Sequence, residues 1–383
     1  MGEITSFMAK GIPPKYVESE TEDTVRVLNQ KCNRNFEINY EESRLHDCSK
    51  KKVPADKMLQ PGDVLINSTG TGTAGRVAQL YDVPTPTTID GHMILLRPTE
   101  EIDSIYYGYA VKALQPKIET LAEGSTGQTE INRKRLQEDI VICFPTKKEM
   151  QERIGRFLLN IDEKIKMNFK INKNLFAQAK VVFNKYYDAS ESQQLFTSVI
   201  SVLGGGTPKT STPCFWNGTI PFFTPKDVGN PYTFQTEKYI TDDGLEHCNS
   251  RLYPINTSFV TARGTVGKVG LAGVPMAMNQ SCYALVSDIV DPVLIYFYTL
   301  KAIDSLKHKA SGAVFDAIVT RDFNTEMIKI LSETDSKTVL EIVSPMLETI
   351  HNNTSENIQL SALRDALLPK LMSSELDVSD INL

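Results

Sequence analysis

The second half of this 383-residue chain restates the first. Gly72-Thr-Ala-Gly75-Arg76-Val77 returns as Gly264-Thr-Val-Gly267-Lys268-Val269. Gly11-Ile-Pro13 falls on Gly206-Thr-Pro208, and Val27-Leu-Asn29-Gln-Lys31 on Phe222-Phe-Thr224-Pro-Lys226. Glu3-Ile-Thr-Ser matches Ser198-Val-Ile-Ser, and Leu59-Gln-Pro61 matches Leu252-Tyr-Pro254. Val182-Phe-Asn-Lys185-Tyr aligns on Leu367-Leu-Pro-Lys370-Leu, and Glu123–Gly127 has a weaker echo in Ala310–Ala313. The offset stays between 185 and 195 residues throughout. A period that long is a whole domain with its connection, so the chain must fold as two similar halves.

Each copy begins strand-rich and ends helical. Asp63-Val-Leu-Ile and Ser258-Phe-Val-Thr are short β-prone runs that each lead into a Gly-Thr-x-Gly loop, with Met93-Ile-Leu-Leu and Tyr283-Ala-Leu-Val as further strands. Helices are expected over Ile105–Leu114 and Val293–Lys307. From Lys147 to Tyr187 and from Thr338 to Leu376, apolar residues recur in steps of three or four, the period of an amphipathic helix. Forty residues at about 1.5 Å each make a rod of about 60 Å. Pro345 and Pro369 are expected to kink or break the second rod.

The two rods carry opposite charge. Lys147–Asp188 has 10 Lys/Arg against 5 Asp/Glu, whereas Glu333–Leu383 has 3 against 9. Rods of opposite sign in one chain should pair lengthwise, with the apolar stripes giving affinity. The residues expected at this interface are Ile154, Leu158, Ile161, Ile165, Leu175 and Val182 on the first helix, whose apolar stripe also carries Phe169. On the second they are Val343, Met346, Ile350, Leu360, Leu363, Leu367 and Leu371.

The most distinctive stretch is Gly204–Asp227. Its glycines permit a sharp turn, and Pro208, Pro213, Pro221 and Pro225 keep it out of helix. Phe215, Trp216, Phe222 and Phe223 should anchor a rigid loop that presents Lys209, Thr210, Ser211, Thr224, Lys226 and Asp227. It is not a phosphate loop, because Pro208 and not glycine precedes Lys209.

Gly-Gly-Thr-Pro-x-Thr, an aromatic-Trp-x-Gly, Ile-Pro and Thr-Pro-Lys-Asp resemble the target-recognition domain of type I restriction-modification specificity subunits. Lys10-Gly-Ile-Pro-Pro-Lys-Tyr16 with Leu28-Asn-Gln-Lys-Cys32 resembles a second variant of that domain. Leu363-Arg-Asp-Ala-Leu-Leu-Pro-Lys-Leu-Met372, then Ser374-Glu-Leu376, resembles the family's closing signature. The chain departs from the family where a strand-forming stretch usually precedes the position of Glu3.

The resemblance implies an α+β architecture: two strand-rich target-recognition domains, 1–145 and 190–332, separated by two long helices, 146–189 and 333–383, that pair as an antiparallel coiled coil. It implies a protein that makes no covalent change itself. Each domain would read one half of a bipartite site in double-stranded DNA. The helices would fix the gap and dock modification subunits, which bring S-adenosylmethionine; motor-nuclease restriction subunits would join for cleavage. Readout needs polar side chains on rigid loops. Asn29, Gln30, Lys31, Asn33 and Arg34, with Lys10, Lys15 and Tyr16, supply one set. Lys209, Thr210, Thr224, Lys226, Asp227 and Arg263 supply the other. The glycine loops, with Thr71, Arg76, Thr265 and Lys268, suit phosphate contact.

Composition bounds the alternatives. A net charge of −6 argues against a general nucleic-acid binder, so DNA contact must rest on a few placed cations or a basic partner. No run reaches 18 apolar residues, and the start MGEITSFMAK lacks the features of a signal peptide, which points to the cytoplasm. Six scattered cysteines read as reduced thiols and not as a metal site. An autonomous methyltransferase would need an Asn/Asp-Pro-Pro-aromatic loop, and Asn230-Pro231-Tyr232 is one proline short. A nuclease would need clustered acids, which Pro225-Lys-Asp227 does not provide. The remaining alternative is a coiled-coil scaffold or regulator without DNA readout.

Overall fold

Val64-Leu-Ile-Asn67 is buried along its whole length, and its alternate side chains enter two different cores. Val64 and Ile66 pack with Tyr106 and Tyr107 of the helix Ser104–Ala113. Leu65 faces the other way, toward Leu28, Ile89 and Met93. A strand covered on both faces reads as a continuous apolar run, which explains the sequence here. It is the third strand of a sheet ordered Thr5–Lys10, Met93–Pro98, Val64–Asn67, Val77–Gln79. The second copy repeats that order with Ser201–Gly204, Cys282–Val286, Ser258–Thr261 and Val269–Ala272, and adds Tyr232–Thr233 at the edge.

The computed structural model describes residues 1–124, 129–309, 317–373 and 375–376. The echo of Glu123–Gly127 in Ala310–Ala313 therefore lies largely outside the described residues, as does Ser374 of the closing signature. Among the described residues the chain divides into two compact units, Met1–Lys164 with Leu360–Leu383, and Ile165–Gln359.

A second, smaller sheet in each unit carries a parallel pairing at the same place. Val27 and Leu28 pair with Thr88 and Ile89, as Phe222 and Phe223 pair with Ala277 and Met278. The Asp90 amide then donates to the Leu28 carbonyl at 2.9 Å, and the Asn279 amide to the Phe223 carbonyl at 3.0 Å. The repeat is thus one of hydrogen bonds as well as letters. Two sequence pairings shift by one residue. Lys10 faces Ile94 as Gly204 faces Tyr283, which puts Gly11 level with Gly205 and not Gly206. Likewise the Leu59 and Tyr253 amides make equivalent bonds, to Thr87 and Met276, which displaces Leu252.

Gly11 and Gly205 are level for a steric reason. A Cβ on Gly11 would lie 2.0 Å from the Ile89 carbonyl oxygen, and one on Gly205 would lie 2.2 Å from that of Asn279. Only glycine lets these crossing backbones approach so closely.

The long helices run Lys148–Ala189 and Glu333–Met372. The second continues through Pro345 and Pro369, so the expected break does not occur. Packing outweighs the lost backbone bond: Val343 and Leu347 are buried on either side of the first proline, and Leu368 and Leu371 flank the second. Within the first unit, Ile154 and Leu158 share a core with Leu368 and Leu371, and Leu367 packs against it. Asp162 there accepts from the Tyr109 hydroxyl at 2.6 Å and from Arg364 of the second helix, with the Lys112 ammonium 3.7 Å away. Burial lowers Lys112 to about 8, against the pull of Asp162. Within the second unit, Ala179 and Phe183 pack with Val339, Val343, Leu347 and Ile350, while Leu175, Val182 and Met346 line that core.

The centre of the helix pair is polar. Asn168 Nδ2 donates to Asn357 Oδ1 at 2.9 Å, and Asn353 Nδ2 donates to Asn172 Oδ1 at 2.8 Å. Residue numbers fall on one helix as they rise on the other, so the pairing is antiparallel. Asn168, Asn172 and Asn357 are buried. They occupy the seam, while Phe169 of the apolar stripe is exposed, as is Leu363, which was expected at the interface. Ile161 is buried, whereas Ile165 and Leu360 are half-buried.

Candidate nucleic-acid interface

In both copies the glycine loop leans on the loop that follows the parallel strand. In the first, Thr73 Oγ1 donates to Gln30 Oε1 at 3.3 Å. In the second, Thr265 Oγ1 donates to the Pro225 carbonyl at 3.1 Å. Gly72 and Gly75 take φ of 69° and 91°, and Gly264 and Gly267 take 79° and 73°, the left-handed region where glycine is favoured. The Gly75 amide donates to Asn67 and the Gly267 amide to Thr261, both at 2.9 Å. These glycines therefore close a specific turn, and the cations after them, Arg76 and Lys268, immediately precede the next strand, which Val77 and Val269 open at the same register.

In the first unit the loops enclose a cleft of about 610 Å³. Tyr16, Asn29, Gln30, Lys31, Arg34 and Arg76 line it, so six of the expected residues converge. Glu41, Glu42, Arg44, Thr73, Asp90 and His92 complete it and were not anticipated. Lys31 and Arg34 are exposed and make no side-chain hydrogen bond or ion pair with any described residue. Arg76 Nη2 donates to the Gly72 carbonyl at 3.2 Å, fixing it beside the glycine loop. The Arg44 guanidinium lies over the Tyr16 ring, 3.5 Å from its centre. Burial raises both the Asp90 carboxyl and the Tyr16 hydroxyl above their ordinary ranges.

Two expected residues work inside the fold. Asn33 is fully buried, and its Nδ2 donates to Asn67 Oδ1 at 3.1 Å and to the Arg76 carbonyl at 2.9 Å. It cannot face a ligand, which corrects its place among the outward-facing residues. Asn29 spends both ends of its amide on the loop: Nδ2 donates to the Glu42 carbonyl at 2.8 Å, and Oδ1 accepts from the Lys31 amide at 2.9 Å. Lys10 lies apart, paired with Glu130 in a hollow shared with Glu123 and Arg133. Lys15 and Thr71 are exposed but do not line the cleft.

In the second unit Asp227 is a clamp. Its Oδ2 accepts from the Thr224 amide at 2.8 Å and the Thr224 hydroxyl at 2.6 Å, and its Oδ1 accepts from the Glu237 amide at 2.8 Å. Thr224 and Asp227 thus hold the turn that lifts Lys226, which is exposed and 3.4 Å from Glu237. Arg263, Thr265 and Lys268 are exposed around the glycine loop. Trp216 is half-buried: its ring meets Phe222 edge-on at 5.6 Å and Nε1 donates to the Lys209 carbonyl at 3.3 Å. Lys209 and Thr210 are exposed beyond it.

Among the described residues no group of three or more His, Cys, Asp or Glu is arranged to hold a metal ion, and no helix is long and apolar enough to cross a membrane.

A family model described as the type I restriction modification DNA specificity domain matches residues 47–176 and 195–362. The type I restriction enzyme MjaIX specificity subunit of Methanocaldococcus jannaschii is 28% identical over 162 residues, 41% of this chain and 38% of that protein. The EcoR124I/EcoR124II specificity subunit of Escherichia coli is 27% identical over 163 residues, 40% of this chain and 40% of that protein. The chain thus spans about two fifths of the length of these relatives. The crystal structure of a type I restriction-modification S subunit from M. genitalium shares the fold with a TM-score of 0.64 at 14% identity, covering 97% of this chain and 94% of that one.

Proposed function

Since this chain belongs to the type I restriction modification DNA specificity family, we propose that it selects the DNA sequence on which a type I restriction-modification enzyme acts. Each strand-rich part reads one half of a bipartite site in double-stranded DNA. The long helices hold the two readers and dock the modification subunits. The chain is not itself catalytic: S-adenosylmethionine comes with the modification subunits, and cleavage with the restriction subunits.

The observation that carries this reading is the twice-built pair of loops, Thr73 on Gln30 and Thr265 on Pro225, ringed by cations. Lys31, Arg34 and Arg76 surround one, and Lys226, Arg263 and Lys268 the other. A rigid turn with glycines lets the backbone approach a phosphate closely, and the flanking Lys or Arg supplies the charge. The carboxylates in the first cleft, Glu41 and Glu42, suit a base edge better than a phosphate, because carboxylates accept from cytosine N4. The net charge of −6 fits a reader whose partners supply much of the backbone contact.

The test is methylome sequencing of cells that carry this chain with its modification subunit. A single bipartite motif with a fixed gap is expected. Methylation without sequence preference, or methyl transfer by the isolated chain, would overturn the reading. Gel shifts with and without modification subunits separate it from a scaffold that never touches DNA.

A further inference from the structure

We propose that Arg44, braced on Tyr16, is the residue with which the first unit reads a guanine; this rests on the DNA-reading role proposed above. The argument starts from what the two copies share. Both have the parallel pairing, the glycine loop and the threonine that joins it to the next loop. Two readers that recognise different half-sites cannot draw that difference from identical parts. The shared loops therefore hold backbone, and the bases are read by what the copies do not share.

In the first copy the segment after Lys31 carries side chains that the second does not repeat. It forms the small hairpin Asn33–Arg34 with Glu37–Ile38, then the strand Arg44–Asp47. The strand pairs with Tyr16–Val17 on one side and Thr24–Leu28 on the other. This pairing places Arg44 beside Tyr16 across 28 residues of chain, and both open into the cleft. In the second copy the strand Tyr239–Ile240 takes the equivalent place beside Trp216–Phe223, and there Lys238 lies over the Trp216 ring at 5.6 Å. The position is shared but the side chain is not: the forked guanidinium belongs to the first copy, a single ammonium to the second.

The Tyr16 ring, with its centre 3.5 Å from the guanidinium carbon, braces the Arg44 side chain at the cleft. Among the described residues Arg44 makes no ion pair, so its fork is not committed to a carboxylate. A planar pair of parallel donors matches guanine O6 and N7 in the major groove, and Arg to guanine is the commonest specific contact. A phosphate needs no such bracing, and Lys31, Arg34 and Arg76 already surround the cleft for that purpose. Tyr16 touches no base in this scheme; it is a positioning residue.

The test uses the full chain assembled with its modification subunits. The half-site read by the first domain is assigned by exchanging that domain. Binding is then measured on duplexes in which each G·C pair of that half-site is replaced in turn. For the parent, one replacement should weaken binding roughly 5- to 150-fold. Arg44→Lys keeps the charge but loses the fork, and should erase discrimination at that one pair alone. Tyr16→Phe keeps the ring and should retain the preference, whereas Tyr16→Ala should lose it. A first half-site without a G·C pair overturns the proposal, as does unaltered discrimination in Arg44→Lys and Arg44→Ala. Uniform weakening on every duplex by Arg44→Ala, with the preference intact, would make Arg44 a phosphate contact and also overturn it. A parent complex with no sequence preference would instead sink the DNA-reading role on which it rests.

Discussion

Asn168 donates a hydrogen bond to Asn357 across the seam between the long helices, at 2.9 Å, with both side chains buried. Asn168 Nδ2 also donates to Glu356 Oε2 at 2.7 Å, while its own Oδ1 finds no partner among the described residues. Asn357→Ala leaves the Asn168 amide with less than its share. A cost of about 1–3 kcal/mol is expected, the desolvation of a buried polar group left unmatched. Replacing Asn168 and Asn357 together with Leu should cost less than the sum of the single changes, because two apolar groups can pack where one would face an orphan. Urea unfolding of the four chains measures the coupling; strict additivity would mean that the pair does not interact.

Lys31→Ala should weaken binding to the specific duplex, and so should Lys226→Ala in the other half. A base contact costs about 1–3 kcal/mol and depends on the base, while a phosphate contact weakens every sequence alike. Asn33→Ala should behave differently. Asn33 ties Asn67 to Arg76 inside the fold, so its loss should lower the Tm while the folded fraction keeps its affinity. Paired melting and fluorescence-anisotropy titrations distinguish the two outcomes.

Gly11→Ala and Gly205→Ala should each destabilise their own unit, by about 1–3 kcal/mol or more, since overpacking forces the backbones apart. The contacts that oppose the new Cβ are carbonyl oxygens, which cannot rotate away. If either variant melts like the parent, the crossing is looser than described.

Alkaline pH should weaken the fold from about pH 9 upward. Burial pushes the Cys282 thiol up to about 12, from 9.0, and raises Cys32 as well. The unfolded thiols ionise first, so the folded state binds more protons between those values. Stability is therefore full below pH 9 and falls as pH rises, by up to about 1.4 kcal/mol per pH unit for each thiol. Lys112 opposes this: its ammonium is destabilised when folded, so it contributes a rise between about 8 and 10.5. Cys282→Ala should flatten the fall in urea midpoints between pH 9 and 11, and Lys112→Met should steepen it.

Specificity should be modular. Exchanging Met1–Pro145 for the matching part of a relative should change one half of the methylated motif and leave the other intact. Inserting one turn after Asn174 in the first helix alone should lower the Tm. Matched turns in both helices should restore it and widen the gap between half-sites by one or two base pairs, since a turn is about 5.4 Å and a base pair about 3.4 Å. Methylome sequencing decides; a domain exchange that altered both half-sites would show that the readers are not independent.

The duplicated plan was legible because strand pairings are repeated wherever Val27-Leu and Phe222-Phe recur. Register was not, because Pro13 and Pro208 draw the letters toward Gly206, while the close backbone crossing falls at Gly205. Asn29 and Asn33 were read as facing outward because an amide suits a base edge and a backbone group equally. Choosing between those uses requires the neighbours, Glu42 and Asn67. Arg44 escaped notice because nothing local links it to Tyr16; only strand pairing does. Phe169 sits at helical spacing, yet the seam runs through Asn168 and Asn172, four residues apart.

Residues 168 and 357 sum to 525, and so do 172 and 353. A slide of one turn that set Asn168 against Asn353 would leave Asn172 and Asn357 facing other residues. The asparagines therefore act as notches that turn a smooth rod into a ruler with few stable settings. Length in such a ruler is inherited jointly: an insertion in one helix is tolerated only with an equal one in the other. Among descendants of this chain, insertions and deletions in the two helices should occur as matched pairs, while the loops of each reader drift independently.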